Sequence, residues 1–471
     1  MVFLGVRGVA GLLPVAPQSF LSAYAKICRL EYIKGEAPAV FLPALLTASS
    51  FASLASPAVL EGFAVFALLY VTGFIANALT DRELDLKYDS FKREIGEAAV
   101  YLGPRWMTAI LALHLAAAFA LTVHLAVSLR MPELFGLVAL GVFLALAYSL
   151  PPFHLKVRGL AAHALALSLS AFAVPFVFLY LVSARTLDFH GASICAAFTL
   201  THYGLTYTNQ AYDFDEDLKE GVRTPPVRLG LRRALKASAA MVAVGLPALS
   251  FALVSLAASR DGVASAFGAA GLWAFALGGT ALLWLGYSVP LRGLARTLSI
   301  VREHDVEAEA VPELRRAVDY ARFHASGILG VAAFALLLFG TTIQGQVVLE
   351  NDAAEGLQLT ASAPSVDLAA PQGPNADFTF SVAYGGSRAV ATGTAFVRVE
   401  AREAGNEQAY DSVLVPVASR LSPGGSTQIE LRDVPLRLGG AGCTVTATLL
   451  VDGDRDGAAL RVADTQTFDF P

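Results

Sequence analysis

The chain reads VTGFIANALTDRELDLK at residues 71–87 and THYGLTYTNQAYDFDED at residues 201–217. Each stretch starts as an apolar run, ends in charged residues, and carries one asparagine and two aspartates at intervals of four. The first ladder is Asn77, Asp81 and Asp85, and the second ladder is Asn209, Asp213 and Asp217. Residues four apart share one face of a helix, so each ladder is predicted to present an amide and two carboxylates on one side.

Outside the ladders the chain is very apolar. It has 471 residues, 55% of them hydrophobic, and its mean hydropathy is +0.57, which excludes an ordinary soluble protein. Apolar windows of about 20 residues are typical of membrane-spanning helices. We predict an all-α polytopic bundle in the cell membrane, in contact with membrane lipids, with nine spans at residues 37–56, 58–80, 105–129, 133–150, 161–183, 190–212, 237–258, 264–290 and 323–345.

The distribution of Lys and Arg orients this bundle, because cytoplasmic loops of membrane proteins are enriched in both residues. With the ladders on the cytoplasmic side, the inside segments hold 23 Lys and Arg, whereas the outside loops hold 3. We therefore expect a cytoplasmic N-terminus and an extracytoplasmic C-terminal region. The three cysteines lie in separate regions, which predicts neither a disulfide framework nor a zinc site. We expect no nucleic-acid partner.

The composition changes after Gly345. From residue 346 to 471 the chain has no Lys and no long apolar run, and short alternating stretches are separated by turn residues such as those at 384–387 and 422–425. This pattern is typical of an antiparallel β-sandwich of about seven strands, immunoglobulin-like in architecture only. We predict a transmembrane domain at 1–345 and an extracytoplasmic β-sandwich domain at 346–471. The second domain shows no catalytic pattern, and its ligand is unknown.

Basic residues follow both ladders. Lys92 and Arg93 come after the first ladder, and Arg223 and Arg228 come after the second. Two facing sets of carboxylates repel each other unless divalent cations lie between them, and Mg²⁺ with phosphate oxygens is the usual occupant. Lys and Arg side chains bind the remaining phosphate oxygens. Acidic residues at a membrane edge are costly, so the pattern predicts a functional site for a metal and a phosphate-bearing substrate.

Both ladders resemble signatures of the UbiA superfamily of intramembrane prenyltransferases. The first ladder looks like the first signature of that family, and the second ladder, with Gly221 and Thr224, looks like the second. The segment YSLPPFHLK at residues 148–156 is similar to the one that follows the family's fourth span. The resemblance covers about residues 25–345. Gln210 departs from it, because many members carry Asp at that position.

The resemblance implies a Mg²⁺-dependent enzyme that moves an isoprenyl group from an isoprenyl diphosphate to a lipophilic or aromatic acceptor through an allylic carbocation. It implies catalytic roles for the four ladder aspartates, with Asn77, Asp81 and Asp85 on one Mg²⁺ and Asp213 and Asp217 on another. Substrate binding is carried over to Asn77, Asn209, Lys92, Arg93, Tyr148, Lys156, Arg223 and Arg29. Acceptors in the family range from hydroxybenzoates and naphthoates to geranylgeranylglyceryl phosphate, and the sequence selects none of them.

Two other classes of function remain open from the residues alone. A cation-coupled transporter also uses membrane acids, although such sites lie near the bilayer midplane and the ladders lie at predicted helix ends. A non-catalytic bundle could anchor the external β domain, but an anchor has no need for costly acidic residues.

Overall fold

The computed structural model of the protein describes residues 19–30, 33–88, 91–317, 320–370, 374–385, 395–403, 408–417, 421, 424–436, 442–451 and 461–470. The chain forms two compact units. One contains the residues up to Ser259 together with Phe275–Phe339, and the other contains Arg260–Ala274 and Gly340–Pro471.

The first unit is helical. Its α-helices, including those that continue into the second unit, are α1 (Phe20–Ile27), α2 (Ile33–Thr47), α3 (Phe51–Leu54), α4 (Pro57–Asp85), α5 (Phe91–Ser128), α6 (Glu133–Ser149), α7 (Leu160–Ser168), α8 (Val174–Ala184), α9 (Phe189–Ala211), α10 (Phe214–Lys219), α11 (Pro225–Leu229), α12 (Leu231–Ala258), α13 (Asp261–Glu303), α14 (Val311–Ala317) and α15 (Tyr320–Gly356). Short 3-10 helices cover Leu155–Val157 and Glu307–Ala310, and a π-helical turn covers Leu169–Ala173 between α7 and α8.

Six helical stretches among the described residues are long and apolar enough to cross a membrane. They are Phe51–Asp85, Lys92–Ser128, Leu160–Ala184, Leu231–Ala258, Ala270–Glu303 and Ala325–Ile343. Each coincides with one of the nine predicted spans, as expected for a multi-pass membrane protein.

The other three predicted spans do not meet the same limits. The segment 37–56 is interrupted, because α2 ends at Thr47 and a capping box between Ser50 and Ser53 starts α3. Helix α6 is apolar but has only 17 residues. Helix α9 has 23 residues, but polar side chains such as Thr201 and His202 lower its hydropathy.

Close packing against α12 positions α9. A Cβ at Gly245 of α12 would lie 2.4 Å from Oγ1 of Thr201 on α9, closer than atoms can approach. Glycine therefore allows the two backbones to lie side by side, as small residues do in membrane helix pairs. Ser238 of α12 adds a 2.7 Å hydrogen bond to the carbonyl oxygen of Gly204. This pairing fixes the helix that leads into the second ladder.

The second unit contains the strands. They are β1 (Leu357–Ala361), β2 (Ser365–Asp367), β3 (Asn375–Tyr384), β4 (Ala395–Glu403), β5 (Ala409–Pro416), β6 (Ser426–Pro435), β7 (Cys443–Val451) and β8 (Arg461–Phe470). One antiparallel sheet has β3 at its centre, with β1 and β2 on one edge and β6 on the other. The other has the order β5-β4-β7-β8.

A shared apolar core joins the two sheets. Buried side chains alternate along β3, β4 and β7, with Phe378 and Phe380 among the largest, and Phe468 of β8 packs on both. Alternation of this kind is what a two-sheet sandwich requires. The predicted all-β region is therefore present, and the described residues form eight strands where the pattern predicts about seven. Because α15 continues to Gly356, the first strand begins later than residue 346; the domain division at 345 stays a prediction.

Candidate functional site

The two ladders differ in their local structure. All three residues of the first ladder belong to α4, and Asp85 is its last residue. In the second ladder Asn209 lies on α9, which ends at Ala211, Asp213 is the N-cap of α10 and Asp217 lies inside α10. The prediction of one continuous helix face is therefore wrong for the second ladder, because the backbone of Asp213 (φ −100°, ψ 4°) leaves the helical region.

Two contacts join the ladders. Nζ of Lys92, at the start of α5, lies 2.9 Å from Oδ2 of Asp213. The hydroxyl of Tyr88, in the connection between α4 and α5, donates a 2.9 Å hydrogen bond to Oδ1 of Asp217. A Cβ at Gly96 would lie 2.9 Å from the backbone at the end of α4, so glycine lets α5 start directly against the first ladder. The chain that follows the first ladder thus contacts the second.

The segment YSLPPFHLK contacts the first ladder. Nζ of Lys156 lies 2.6 Å and 2.5 Å from the two carboxylate oxygens of Asp81. The hydroxyl of Ser149 donates a 3.2 Å hydrogen bond to Oδ1 of Asn77. His154 has a left-handed backbone (φ 44°), which turns the chain before Lys156. Lysine side chains therefore neutralise one carboxylate in each ladder.

Asp217 is the most enclosed carboxylate of the second ladder. It is buried, and besides Tyr88 the hydroxyl of Thr224 donates a 2.9 Å hydrogen bond to its Oδ2. Burial raises the pKa of the Asp217 carboxyl, while the charge of Lys92 opposes that rise. Burial also raises the pKa of the Tyr88 hydroxyl, and nearby carboxylates of both ladders raise it further. The Tyr88 hydroxyl therefore stays protonated and donates its hydrogen to Asp217.

Asp85 is buried at the end of the first ladder, with 4% of its surface exposed. Its Oδ2 has no hydrogen-bond partner among the described residues. A buried carboxylate oxygen without a donor is costly, and a cation is the simplest group that satisfies it. This oxygen is the clearest single indication of where a metal ion fits.

Other predicted site residues lie apart from these contacts. Arg93 forms an exposed pair with Glu97 on its own helix, and Arg223 and Asn209 are exposed. Cζ of Arg29 lies 4.9 Å from the ring centroid of Phe74, three residues before the first ladder. The structure therefore brings together the ladder carboxylates, Lys92 and Lys156, and leaves Arg93, Arg223 and Asn209 toward solvent.

Three residues contribute to the site although the sequence alone assigns them no role in it. Tyr88 holds Asp217 and also lies under Lys92, whose Nζ is 4.3 Å from its ring centroid. Thr224 was part of the second signature, and its role is the bond to Asp217. Arg315 of α14 donates to the carbonyl oxygen of Tyr212 at 2.8 Å and pairs with Asp215 at 2.8 Å, which fixes the junction of α9 and α10. No local pattern marks Arg315, because its partners are distant in sequence.

The donor set suits Mg²⁺, which prefers carboxylate and other oxygen ligands. Within the described part of the chain, however, no three His, Cys, Asp or Glu side chains are close enough together to hold one ion. The ladder carboxylates are instead paired with lysines. A lysine therefore occupies one carboxylate of each ladder, and a cation that binds there competes with it.

The chain is similar to several solved structures. A UbiA homologue from Archaeoglobus fulgidus bound to GPP and Mg²⁺ has 15% identity and a TM-score of 0.45, and the match covers 67% of this chain and 99% of that one. The same homologue bound to DMAPP and Mg²⁺ has 17% identity, a TM-score of 0.43, and coverage of 69% and 99%. A structure from work on digeranylgeranylglyceryl phosphate synthase in membranes has 11% identity, a TM-score of 0.41, and coverage of 67% and 99%.

No curated protein sequence matches the chain. The sequence profile of the UbiA prenyltransferase family, by contrast, matches residues 37–303, more than half of the chain. The matched range contains both ladders, the YSLPPFHLK segment, Tyr88 and Lys92. On this match, the chain belongs to the UbiA prenyltransferase family.

Proposed function

We propose that this protein is a Mg²⁺-dependent membrane prenyltransferase that moves an isoprenyl group from an isoprenyl diphosphate to a lipophilic or aromatic acceptor. The observation that carries the proposal is the convergence of the two ladders through Lys92 and Tyr88, with Lys156 on the first ladder. Four aspartates, at the end of α4 and at the start of and within α10, thus lie in one cluster with two lysines. Such a cluster matches a diphosphate with its metal ions in both charge and chemistry.

The ladders divide the metal ligands. Asn77, Asp81 and Asp85 would hold one Mg²⁺, and Asp213 and Asp217 would hold another, with Asn209 in support. Mg²⁺ held there would draw negative charge from the leaving diphosphate. Tyr88 and Thr224 orient the Asp217 carboxylate toward this task, as partners of metal ligands do.

The lysines have a second role. They neutralise Asp81 and Asp213, which reduces the repulsion between the ladders. When a diphosphate enters, Lys92 and Lys156 can pass to its oxygens and leave the carboxylates to the metal. Metal ions and diphosphate are therefore expected to bind as one unit. The metal ions replace the lysine charges at the carboxylates, and the diphosphate oxygens bind the displaced lysines. Arg29, Arg93 and Arg223 are further candidates for the outer phosphate oxygens, and Tyr148 for the reacting end of the prenyl group.

The surroundings of the cluster suit the chemistry. Ionisation of the diphosphate gives an allylic carbocation, which water would quench, so the reacting carbon needs an apolar and water-poor site. The helices that lead from the cluster into the membrane supply apolar walls and aromatic rings. We further propose that the ladders face the cytoplasm and that the transmembrane domain comprises residues 1–345. Residues 346–471 would then form an extracytoplasmic domain that binds a ligand or acts as a spacer at the outer surface.

A transfer assay tests the proposed function. Purified full-length protein is incubated with Mg²⁺, a membrane lipid extract and labelled geranyl, farnesyl or geranylgeranyl diphosphate, and prenylated product is measured. Product is expected from the wild type and not from Asp81→Asn or Asp213→Asn. If the wild type neither binds nor consumes any of the three diphosphates, the proposed function is wrong.

A further inference from the structure

A second polar cluster lies behind the ladders, inside the helical unit. His163 of α7 is at its centre, with 1% of its surface exposed. Its Nε2 lies 2.9 Å from Nε2 of Gln210 and 3.3 Å from the Tyr148 hydroxyl, and its Nδ1 lies 3.2 Å from the Tyr203 hydroxyl. The Tyr203 and Tyr207 hydroxyls lie 3.1 Å apart. We name Tyr148, His163, Tyr203, Tyr207 and Gln210 the His163 cluster.

The His163 cluster adjoins the proposed reaction site. Tyr148 precedes Ser149, whose hydroxyl donates a hydrogen bond to Asn77 of the first ladder. Gln210 is the residue after Asn209 of the second ladder. The cluster therefore adjoins residues of both ladders.

Two observations show that the cluster lacks a polar partner and has room beside it. Oε1 of Gln210 is shielded from solvent and has no hydrogen-bond partner among the described residues. Tyr203 also lines an apolar groove of about 460 Å³ between the π-helical turn and α9, together with Leu169, Ala173, Cys195, Ala196 and Thr199. Turns of π-helix are frequent at functional sites. A molecule with an apolar body and a polar end fits this combination.

The chemistry of the cluster restricts that polar end. Among the described residues, no charged side chain donates or accepts a hydrogen bond with any of its five members. An anionic head group would therefore find no cationic hydrogen-bond donor within the cluster, which is unfavourable in an apolar region. A hydroxyl group has one hydrogen, which it can donate to the unpartnered Gln210 oxygen or to the ring nitrogen of His163 that carries none.

We infer that the His163 cluster binds the acceptor's head group, that this head group is an uncharged hydroxyl or phenol, and that His163 accepts its proton. This inference rests on the proposed function. In the step, the C1–O bond of the prenyl diphosphate breaks and its electron pair leaves with the diphosphate. The hydroxyl O–H bond breaks, its proton passes to Nε2 of His163, and a bond forms between C1 and the deprotonated acceptor.

The hydrogen bonds of the cluster support His163 as the proton acceptor. When Nδ1 carries the hydrogen, it donates to Tyr203, and Tyr203 donates to Tyr207. Nε2 then carries no hydrogen and accepts from the Gln210 amide nitrogen. A half-turn of the Gln210 amide would place its unpartnered Oε1 against Nε2 once that nitrogen is protonated, so the charged ring gains an acceptor without a change of fold.

The experiment uses the full-length protein in detergent with Mg²⁺ and three acceptor probes: an alkyl hydroquinone, 4-hydroxybenzoate and an alkyl glyceryl phosphate. Binding of each labelled probe is measured with geranyl thiolodiphosphate present, and transfer with geranyl diphosphate. The hydroquinone is expected to bind and to be prenylated in preference to both anions. Preferential binding of an anionic probe, or no binding of the hydroquinone, would overturn the inference. Absence of Mg²⁺-dependent thiolodiphosphate binding would instead refute the proposed function.

Variants separate a chemical from a structural role. His163→Gln keeps hydrogen-bonding capacity but cannot accept the proton, so kcat is expected to fall about 10²-fold, while thiolodiphosphate and hydroquinone affinities change little. Tyr203→Phe keeps the ring and is expected to raise the hydroquinone KM about tenfold with a smaller effect on kcat. His202→Gln is the matched control. Like His163, His202 is buried, but it lies on α9 and bonds to Tyr287 of α13. The kcat of this variant is expected to stay near wild type. Equal effects at His163 and His202 would contradict the inference.

Discussion

The two ladders have the same spacing in sequence and different structures. The first ladder lies on one straight run of α4 and is neutralised from outside, by Lys156 of the segment after α6. The second ladder crosses the end of α9 and is held by Tyr88, Thr224 and Lys92. Equal spacing thus specifies the chemistry of a ligand set, whereas the surrounding chain decides how each set is held.

The largest expected effect is loss of a carboxylate from either ladder. Asp85→Asn and Asp217→Asn each remove a proposed metal ligand without changing side-chain size. Transfer activity is expected to fall about 10³-fold in both, because charge stabilisation at the leaving group is lost. Steady-state assays at saturating Mg²⁺ measure this. If one variant keeps near wild-type activity, that ladder does not bind a catalytic metal.

Lysine substitutions come next, and they separate metal from diphosphate. Lys92→Met and Lys156→Met each remove one charge-assisted contact to phosphate, so affinity for a prenyl thiolodiphosphate with Mg²⁺ is expected to fall roughly 10- to 100-fold. Affinity for Mg²⁺ alone is expected to rise, because the cation that competes for Asp213 or Asp81 is gone.

Calorimetric titration measures both affinities in these variants and in Lys92→Arg and Lys156→Arg, which keep the charge. In the Met variants the affinity for thiolodiphosphate is expected to fall and the affinity for Mg²⁺ to rise. A fall in both affinities would show that the lysines do not compete with metal.

Tyr88 distinguishes the two ladders, because among the described contacts only the second ladder has a hydroxyl hydrogen-bonded to a carboxylate. Tyr88→Phe keeps the ring under Lys92 and removes the hydrogen bond to Asp217. An approximately tenfold rise in the Mg²⁺ concentration for half-maximal activity is expected, as for other partners of metal ligands. Tyr101→Phe, at an exposed position of α5, is the control and is expected to match the wild type. Equal behaviour of the two variants would remove Tyr88 from the site.

The smallest expected effect concerns stability against pH in metal-free protein. Because the folded-state pKa of Asp217 is raised, the folded state binds more protons than the unfolded state between the ordinary aspartate pKa and the raised value. Folding stability contributed by this group therefore falls as pH rises through that window. The Tm of Asp217→Asn minus that of the wild type is expected to increase from acidic to neutral pH, measured by fluorescence melting in detergent with chelator. A difference that stays constant with pH would contradict the raised pKa.

The sequence predicted the helical class, the β region and the ladders well, and the physical reason is the same for each. Apolar runs and period-two alternation follow directly from burial, so the helices at 161–183 and 237–258 and the strands around Phe378 and Val445 are found where the patterns are. The ladders can also be recognised as a candidate site without tertiary information, because acidic residues at the end of a membrane span are costly unless they have binding partners.

What the sequence did not reveal depends on contacts between distant segments. The break inside the second ladder is stabilised by Arg315, about a hundred residues away, and the roles of Tyr88 and His163 follow from partners on other helices. The interruption at Ser50 depends on a side-chain cap that only a folded backbone shows. Arg93 and Arg223 were predicted from their positions beside the ladders, and neither contacts a ladder carboxylate among the described contacts.

The central claim is that both ladders, with their lysines, form one site for a metal–diphosphate complex. Calorimetric binding of geranyl thiolodiphosphate to the full-length protein, with and without Mg²⁺, tests it most directly when the wild type is compared with Asp81→Asn and Asp213→Asn. The account predicts tight binding by the wild type only with Mg²⁺, and loss of that binding in each variant. Binding that is independent of Mg²⁺, or that survives the loss of either aspartate, would contradict it.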